Sequence, residues 1–180
     1  MNKADIIKGC QKGRREAQEA LYGAYADRLF RLSCRYIKVQ ADAEDVMIHA
    51  FNKIFEHVAS FRYEGDRELE AWMKRIVVNE ALMWLRRRHN FNMMESIDET
   101  HDAVDLSAVS DLEAEDILKF IMQLPTGYRT VFNLSVVEGY HHDEIAAMLN
   151  ISESTSRSQL FKAKELLRTL LTKEGFHYGT

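Results

Sequence analysis

A single proline, Pro125, and eight glycines are the only strong helix breakers in a chain of 180 residues. Long stretches free of both favour helices over a strand-and-turn fold. The apolar residues agree. Ala17, Leu21, Ala24, Tyr25, Leu29, Leu32 and Tyr36 recur at steps of three and four, and so do Ala43, Val46, Met47, Ala50, Phe51, Ile54, Phe55 and Val58. Each set draws one apolar stripe along a helix. Gly65 and its polar neighbours interrupt the pattern. A third helix is predicted over 68–89, with Leu69, Trp72, Met73, Ile76 and Val77 facing inward. The plain reading of these aromatics and methionines is core packing. The predicted fold class is all-α.

The C-terminal part reads as four more helices, over 111–124, 126–138, 142–149 and 152–171. Pro125 ends the first, because it has no N–H to give and restricts the residue before it. Gly139 closes the second. Asn150, which tolerates the left-handed conformation, follows the third. Ser152 is placed to cap the fourth. A short helix, a tight turn and a longer helix make a helix-turn-helix, with Ile145 and Ala146 packed beneath Thr155 and Leu160. The start of the last helix carries Ser154, Ser156, Arg157, Ser158, Gln159 and Lys162. Such side chains suit the major groove: arginine pairs with guanine, glutamine with adenine, serine with either base or phosphate. Lys164 and Arg168 lie further along, within reach of phosphates. A solvated helix face is the bland alternative.

The formal net charge of -4 argues at first against a nucleic-acid partner. Its distribution reverses that. From Phe91 to Asp116 there are nine acidic residues and no Lys or Arg, while residues 1–90 carry 17 basic against 13 acidic and residues 117–180 seven against six. The acidity sits in one segment between two mildly basic parts, and phosphate responds to the local face. That segment is rich in Ser, Asp and Glu and reads as a flexible linker between two small helical domains. The predicted division is 1–90, a linker over 91–112, and 113–180.

Other function classes find little support. No run of about 18 apolar residues is present to span a membrane, and residues 1–8 lack the apolar stretch of a secretory signal. A cytoplasmic protein is expected. Cys10 and Cys34 lack metal-ligand spacing and are read as reduced thiols. There is no glycine-rich phosphate loop, no HExxH and no paired-cysteine motif. His141 and His142 are neighbours that diverge at a helix start. No catalytic site, metal or cofactor is expected.

The run LPTGYRTVFNLSVVEGYHHDEIAAMLNISESTSRSQLFKAKELLR, Leu124 to Arg168, resembles the C-terminal DNA-binding domain of extracytoplasmic-function sigma factors, a branch of the sigma-70 family. The N-terminal half resembles the same family through a separate set of motifs. ALYGAYADRLFRLSCRYI is similar to its first core-binding helix. DAEDV, Asp42 to Val46, followed by Phe51, is similar to the segment that docks on the clamp helices of the polymerase beta-prime subunit. AWMKRIVVNEALMWLRRR, Ala71 to Arg88, is similar to the helix that recognises the melted minus-ten element. The resemblance covers nearly the whole chain, from about residue 4 to 172.

The resemblance implies a protein that binds core RNA polymerase and reads two promoter elements. It implies polymerase contacts at Asp42, Glu44, Asp45, Ile48 and Phe51, and a second contact on the beta flap. It implies minus-thirty-five contacts at Ser154, Ser156, Arg157, Ser158, Gln159, Lys162 and Lys164. For the minus-ten strand it implies the loop Phe61, Arg62, Tyr63, Glu64, Gly65, with Asn79 at a base edge and Lys74, Arg75, Arg86, Arg87 and Arg88 at phosphates. Trp72 and Trp84 are read as packing. An anti-sigma factor is an expected partner, and the polymerase supplies the chemistry and its magnesium. Ile48 and His49 stand where the family often has Gln-Glu, Met83 where an aspartate is frequent, and Gln159 where a basic residue is frequent. A stand-alone helix-turn-helix regulator would account for residues 125–172 but leave DAEDV and WMKRIVVN unexplained. A purely helical adaptor would show no DNA dependence at all, even with core polymerase.

Overall fold

The computed structural model describes residues 2–93 and 112–173, and the side chains of all but 112–116 among them. The described residues form helices and connecting turns only, in two compact units, Met1–Trp84 and Leu85–Thr180. Most of the expected acidic linker, residues 94–111, lies outside the described residues.

The first unit opens with a helix the apolar pattern does not announce, α1 (Lys3–Gln11). The Asn2 side chain caps it by accepting the Asp5 N–H at 2.8 Å, which satisfies one of the unpaired donors of a first turn. Gly13, at φ 68°, turns the chain out of it. Three helices follow: α2 (Arg15–Tyr36), α3 (Gln40–His57) and α4 (Asp66–Arg86). Their buried stripes are largely the ones the sequence draws. Leu21, Tyr25, Leu29, Leu32 and Tyr36 of α2 meet Val46, Met47, Ala50, Phe51 and Ile54 of α3, and Leu69, Met73, Val77 and Ala81 of α4 are buried as well. Ala24 is exposed despite its place in the pattern. The α1–α2 approach explains Gly9: a Cβ there would lie 2.5 Å from the Ala17 Cβ. An Arg28–Glu70 ion pair at 2.7 Å joins α2 to α4.

The second unit contains α5 (Leu112–Gln123), α6 (Thr126–Phe132), α7 (His142–Leu149) and α8 (Glu153–Lys173). Ile121, Leu124, Tyr128, Phe132 and Ala163 form its core, with Leu160, Leu166 and Leu167 packed against it. The buried Arg129 donates from Nη1 to the Leu124 carbonyl at 2.9 Å, tying α6 to the turn at Pro125. The helix expected over 126–138 changes pitch after Phe132. Asn133–Val137 form a π-helical turn, with the Glu138 N–H on the Asn133 carbonyl at 2.9 Å. Gly139, at φ 81°, ends it. The turn between α7 and α8 carries the two caps that the sequence places there. Asn150 sits at φ 55°, ψ 49° in the left-handed region, the Ile151 N–H returns to the Ala146 carbonyl at 3.0 Å, and Ser152 Oγ accepts the Thr155 N–H at 3.0 Å.

No described helix is long and apolar enough to cross a membrane, and the described residues gather no metal-binding group of His, Cys, Asp or Glu. Cys10 and Cys34 are free thiols, and burial pushes the Cys34 thiol up to about 11.

Candidate nucleic-acid interface

The long helix of the helix-turn-helix, α8, has one side in the core and the other in solvent. Ser154, Arg157, Ser158, Lys162 and Lys164 are exposed, with Arg168 beyond them. Arg157 Nη2 pairs with Glu153 Oε2 at 2.8 Å, and Lys162 Nζ with Glu165 Oε2 at 3.1 Å. Exposed pairs of this kind are worth about 0–1 kcal/mol, so both cations can exchange a carboxylate for a phosphate or a base.

Two residues expected on this face are turned the other way. Ser156 is fully buried, its Oγ 2.8 Å from His142 Nδ1 on α7. Gln159 is 2% exposed and donates from Nε2 to the Phe91 carbonyl, which belongs to the same unit. Both hold α8 in place, so they are corrected from readers to anchors. His142 has its pKa lowered, first by burial and next by the nearby Arg157 charge. One residue that polar patterning passes over is Phe161, 58% exposed in the middle of the outward face. Its signal was periodicity, since Ser154, Arg157, Ser158, Phe161, Glu165 and Arg168 follow three- and four-residue steps. An exposed phenylalanine can make apolar contact with a thymine methyl group.

A second surface begins in the connection between α3 and α4. The Phe61 ring stacks on Trp72, with centroids 4.4 Å apart and planes at 22°. Tyr63 is half-buried, and its hydroxyl donates to Asp66 Oδ1 at 2.5 Å. Asp66 also takes the Lys3 ammonium on Oδ2 at 2.8 Å. These bonds, Lys3 first, lower the Asp66 pKa, and the Asp66 bond raises that of Tyr63. Arg62 stands in solvent, 3.3 Å from Glu64. Along α4, Arg75, Asn79 and Met83 are exposed at four-residue intervals, and Arg86 and Arg87 are exposed at its end. Lys74 departs from this stripe: it is half-buried, one helical position from Arg75 and so about 100° around the helix.

A third surface lies on α3. Glu44 and Asp45 are exposed and Asp42 half-buried. Ile48 follows Asp45 by three residues and is 48% exposed. Phe51, expected beside it, is 2% exposed and belongs to the core. Its place at the surface is taken by Tyr22 of α2, which is 42% exposed, with its ring centroid 4.7 Å from that of Phe51. Sequence reasoning missed Tyr22 because its neighbour Leu21 carries the buried stripe.

Comparison with known proteins matches the "Sigma-70 region 2" family over residues 21–91 and the "Sigma-70, region 4" family over 114–167. The chain is 29% identical over 162 residues to the ECF RNA polymerase sigma factor SigE of Mycolicibacterium smegmatis, covering 86% of this chain and 62% of that one. It is 28% identical to RNA polymerase sigma factor SigV of Bacillus subtilis, covering 81% of this chain and 85% of that one. It is 28% identical to the ECF RNA polymerase sigma-E factor of Escherichia coli K12, covering 90% of each. Among solved structures it resembles CnrH in complex with the cytosolic domain of CnrY, with a TM-score of 0.51 at 20% identity over 94% of this chain and 97% of that one. It also resembles the sigma factor RpoE of Bartonella quintana in complex with the anti-sigma factor NepR, with a TM-score of 0.50 at 20% identity over 86% and 96%. The chain belongs to the sigma-70 family of RNA polymerase sigma factors, in its extracytoplasmic-function branch.

Proposed function

We propose that this protein binds core RNA polymerase in the cytoplasm, recognises two promoter elements and directs the start of transcription, with the polymerase supplying all of the chemistry. Residues 1–90 act as the polymerase-docking and minus-ten domain, residues 113–180 as the minus-thirty-five domain, and the acidic 91–112 as their linker. The outer face of α8, from Ser154 to Lys164 with Phe161, reads duplex in the major groove. Phe61, Arg62 and Tyr63, with Asn79 and the cations Arg75, Arg86 and Arg87, take the separated strand. Asp42, Glu44, Asp45 and Ile48, now joined by Tyr22, dock on a basic and partly apolar polymerase surface. The observation that carries this reading is the presence, in one chain, of a basic helix-turn-helix face and an acidic-apolar face on α3. A regulator acting alone on DNA has a use for the first and none for the second. The sigma factor RpoE, solved with the anti-sigma factor NepR, supports an anti-sigma factor as a further partner.

Run-off transcription tests the reading. With added core polymerase the protein yields discrete transcripts from genomic templates, and free protein binds the same duplexes weakly. Operator-like footprints from the free protein, without core, would favour a stand-alone regulator.

A further inference from the structure

One short helix holds both ends of the connection between α3 and α4. At the near end, Gln11 Nε2 donates to the carbonyl oxygens of Val58, at 3.3 Å, and Phe61, at 2.8 Å. At the far end, Lys3 Nζ pairs with Asp66 Oδ2 at 2.8 Å, and Asp66 in turn holds the Tyr63 hydroxyl. Lys3, Ile7 and Gln11 stand at four-residue steps, so they share one side of α1. Ile7 between them is buried in the core, and the Gly9–Ala17 approach presses the same helix onto α2. A helix rises 1.5 Å per residue, so the two anchors are fixed about 12 Å apart. The residues they bracket, Phe61 to Gly65, belong to no helix. Their conformation is therefore set largely from outside, by α1 and by the Phe61–Trp72 stack.

The Lys3–Asp66 pair does little for folding. Lys3 and Asp66 are both exposed, and exposed ion pairs contribute little to stability. A loop that must receive a separated base is a different matter. Ordering loose side chains on each binding event subtracts from affinity, and holding them beforehand restores it. We propose that α1 is a positioning element for the strand-reading loop, with Lys3 and Gln11 fixing Tyr63 and Phe61 in their receptive arrangement before DNA arrives. This rests on the assignment of Phe61–Gly65 to the minus-ten strand. Lys3 and Gln11 touch no DNA themselves. They act through Asp66, Tyr63 and the Phe61 backbone.

The test uses full-length protein in complex with core polymerase. The probe is a fluorescent single strand copying the non-template strand across the melted region of a promoter mapped by run-off transcription. Lys3→Met and Gln11→Leu are each expected to weaken strand binding about two- to tenfold, the range for leaving one or two side chains to be ordered on binding. Core affinity, upstream-duplex affinity and the thermal midpoint stay at wild-type values. Lys3→Arg, which can still reach Asp66, restores strand binding. Tyr63→Ala serves as the reference. If Tyr63→Ala weakens strand binding while Lys3→Met and Gln11→Leu leave it at the wild-type level, α1 is a structural helix only and the proposal is overturned. If Tyr63→Ala itself has no effect, the assignment of the loop falls, and the proposal with it.

Discussion

On α8 the outward side chains are charged, hydroxylated or aromatic and stand on a helix of 21 residues. Over Phe61–Gly65 half-buried aromatics, Phe61 and Tyr63, alternate with the exposed charges Arg62 and Glu64, and all stand on no helix. The helix presents Arg157 and Lys162 at a spacing fixed by its own backbone hydrogen bonds, and its buried side, anchored at Ser156 and Gln159, fixes its roll. The loop is tied by backbone hydrogen bonds at its ends, Phe61 and Gly65, and borrows further order through Gln11, Lys3, Asp66 and Trp72. The contrast suits the two forms of DNA. A duplex offers a regular groove that a rigid rod can enter. A separated strand offers exposed base faces, which call for stacking surfaces and a receptive pocket.

Several experiments would break or sharpen that contrast. The largest effect is expected from emptying each surface. Phe61→Ala with Tyr63→Ala loses about 1–3 kcal/mol for each stacked base and abolishes open-complex formation, read by permanganate footprinting, while upstream binding survives. Arg157→Ala with Lys162→Ala does the converse, and one good bidentate base contact is worth about 1–3 kcal/mol of discrimination. Equal losses at both elements from either pair would erase the distinction. Next comes Asp45→Lys, which sets a cation against a basic partner. It weakens core binding in a pull-down by tenfold or more (an order-of-magnitude expectation) without moving the thermal midpoint.

Gln159→Ala comes third and tests an anchor against a reader. Removing its bond to the Phe91 carbonyl destabilises the second unit by about 1–3 kcal/mol in denaturant titration, yet leaves the base preference of the upstream element as it was. A changed base preference would return Gln159 to the reading face. Phe161→Ala follows, with a loss of about 1 kcal/mol confined to a single A·T pair and visible as a flattened preference in a promoter library. The smallest effect is acid sensitivity. His142 has its pKa lowered from 6.5 by burial, so the unfolded chain binds a proton more readily than the folded site does. Stability of the second unit therefore falls as pH drops below 6.5, and levels off only below the folded pKa. Amide exchange along α7 and α8 reports it, and His142→Asn removes the slope.

Much of this was legible in the chain because helix boundaries are written locally. Pro125, Asn150 and Ser152 each act through their own backbone geometry or a partner three residues away. What was illegible depended on distant partners. Ser156 looks like a surface residue until His142, fourteen positions earlier, is placed beside it. Gln159 needs a carbonyl 68 positions away. Phe51 lies beneath Tyr22, because a stripe tells which side of a helix is apolar but not how far the neighbouring helix covers it. Helix α1 escaped notice because nine residues with Ile6, Ile7 and Cys10 make too short a pattern. Its stability comes from the Asn2 cap and the fit of Gly9 against Ala17.

The π-helical turn at Asn133–Val137 has a consequence for how this chain tolerates change in length. An α-helix advances about 100° per residue, so losing one residue from its middle swings everything beyond it onto a new side. A π turn already holds one residue more than the α-helical pitch requires. Removing Val136, which is half exposed, would let the turn relax to the ordinary pitch, with the backbone on either side keeping its alignment. Asn133–Val137 thus forms a slack link between α6 and α7, where a single-residue deletion is expected to be absorbed that would swing the outer face of α8 if made within that helix.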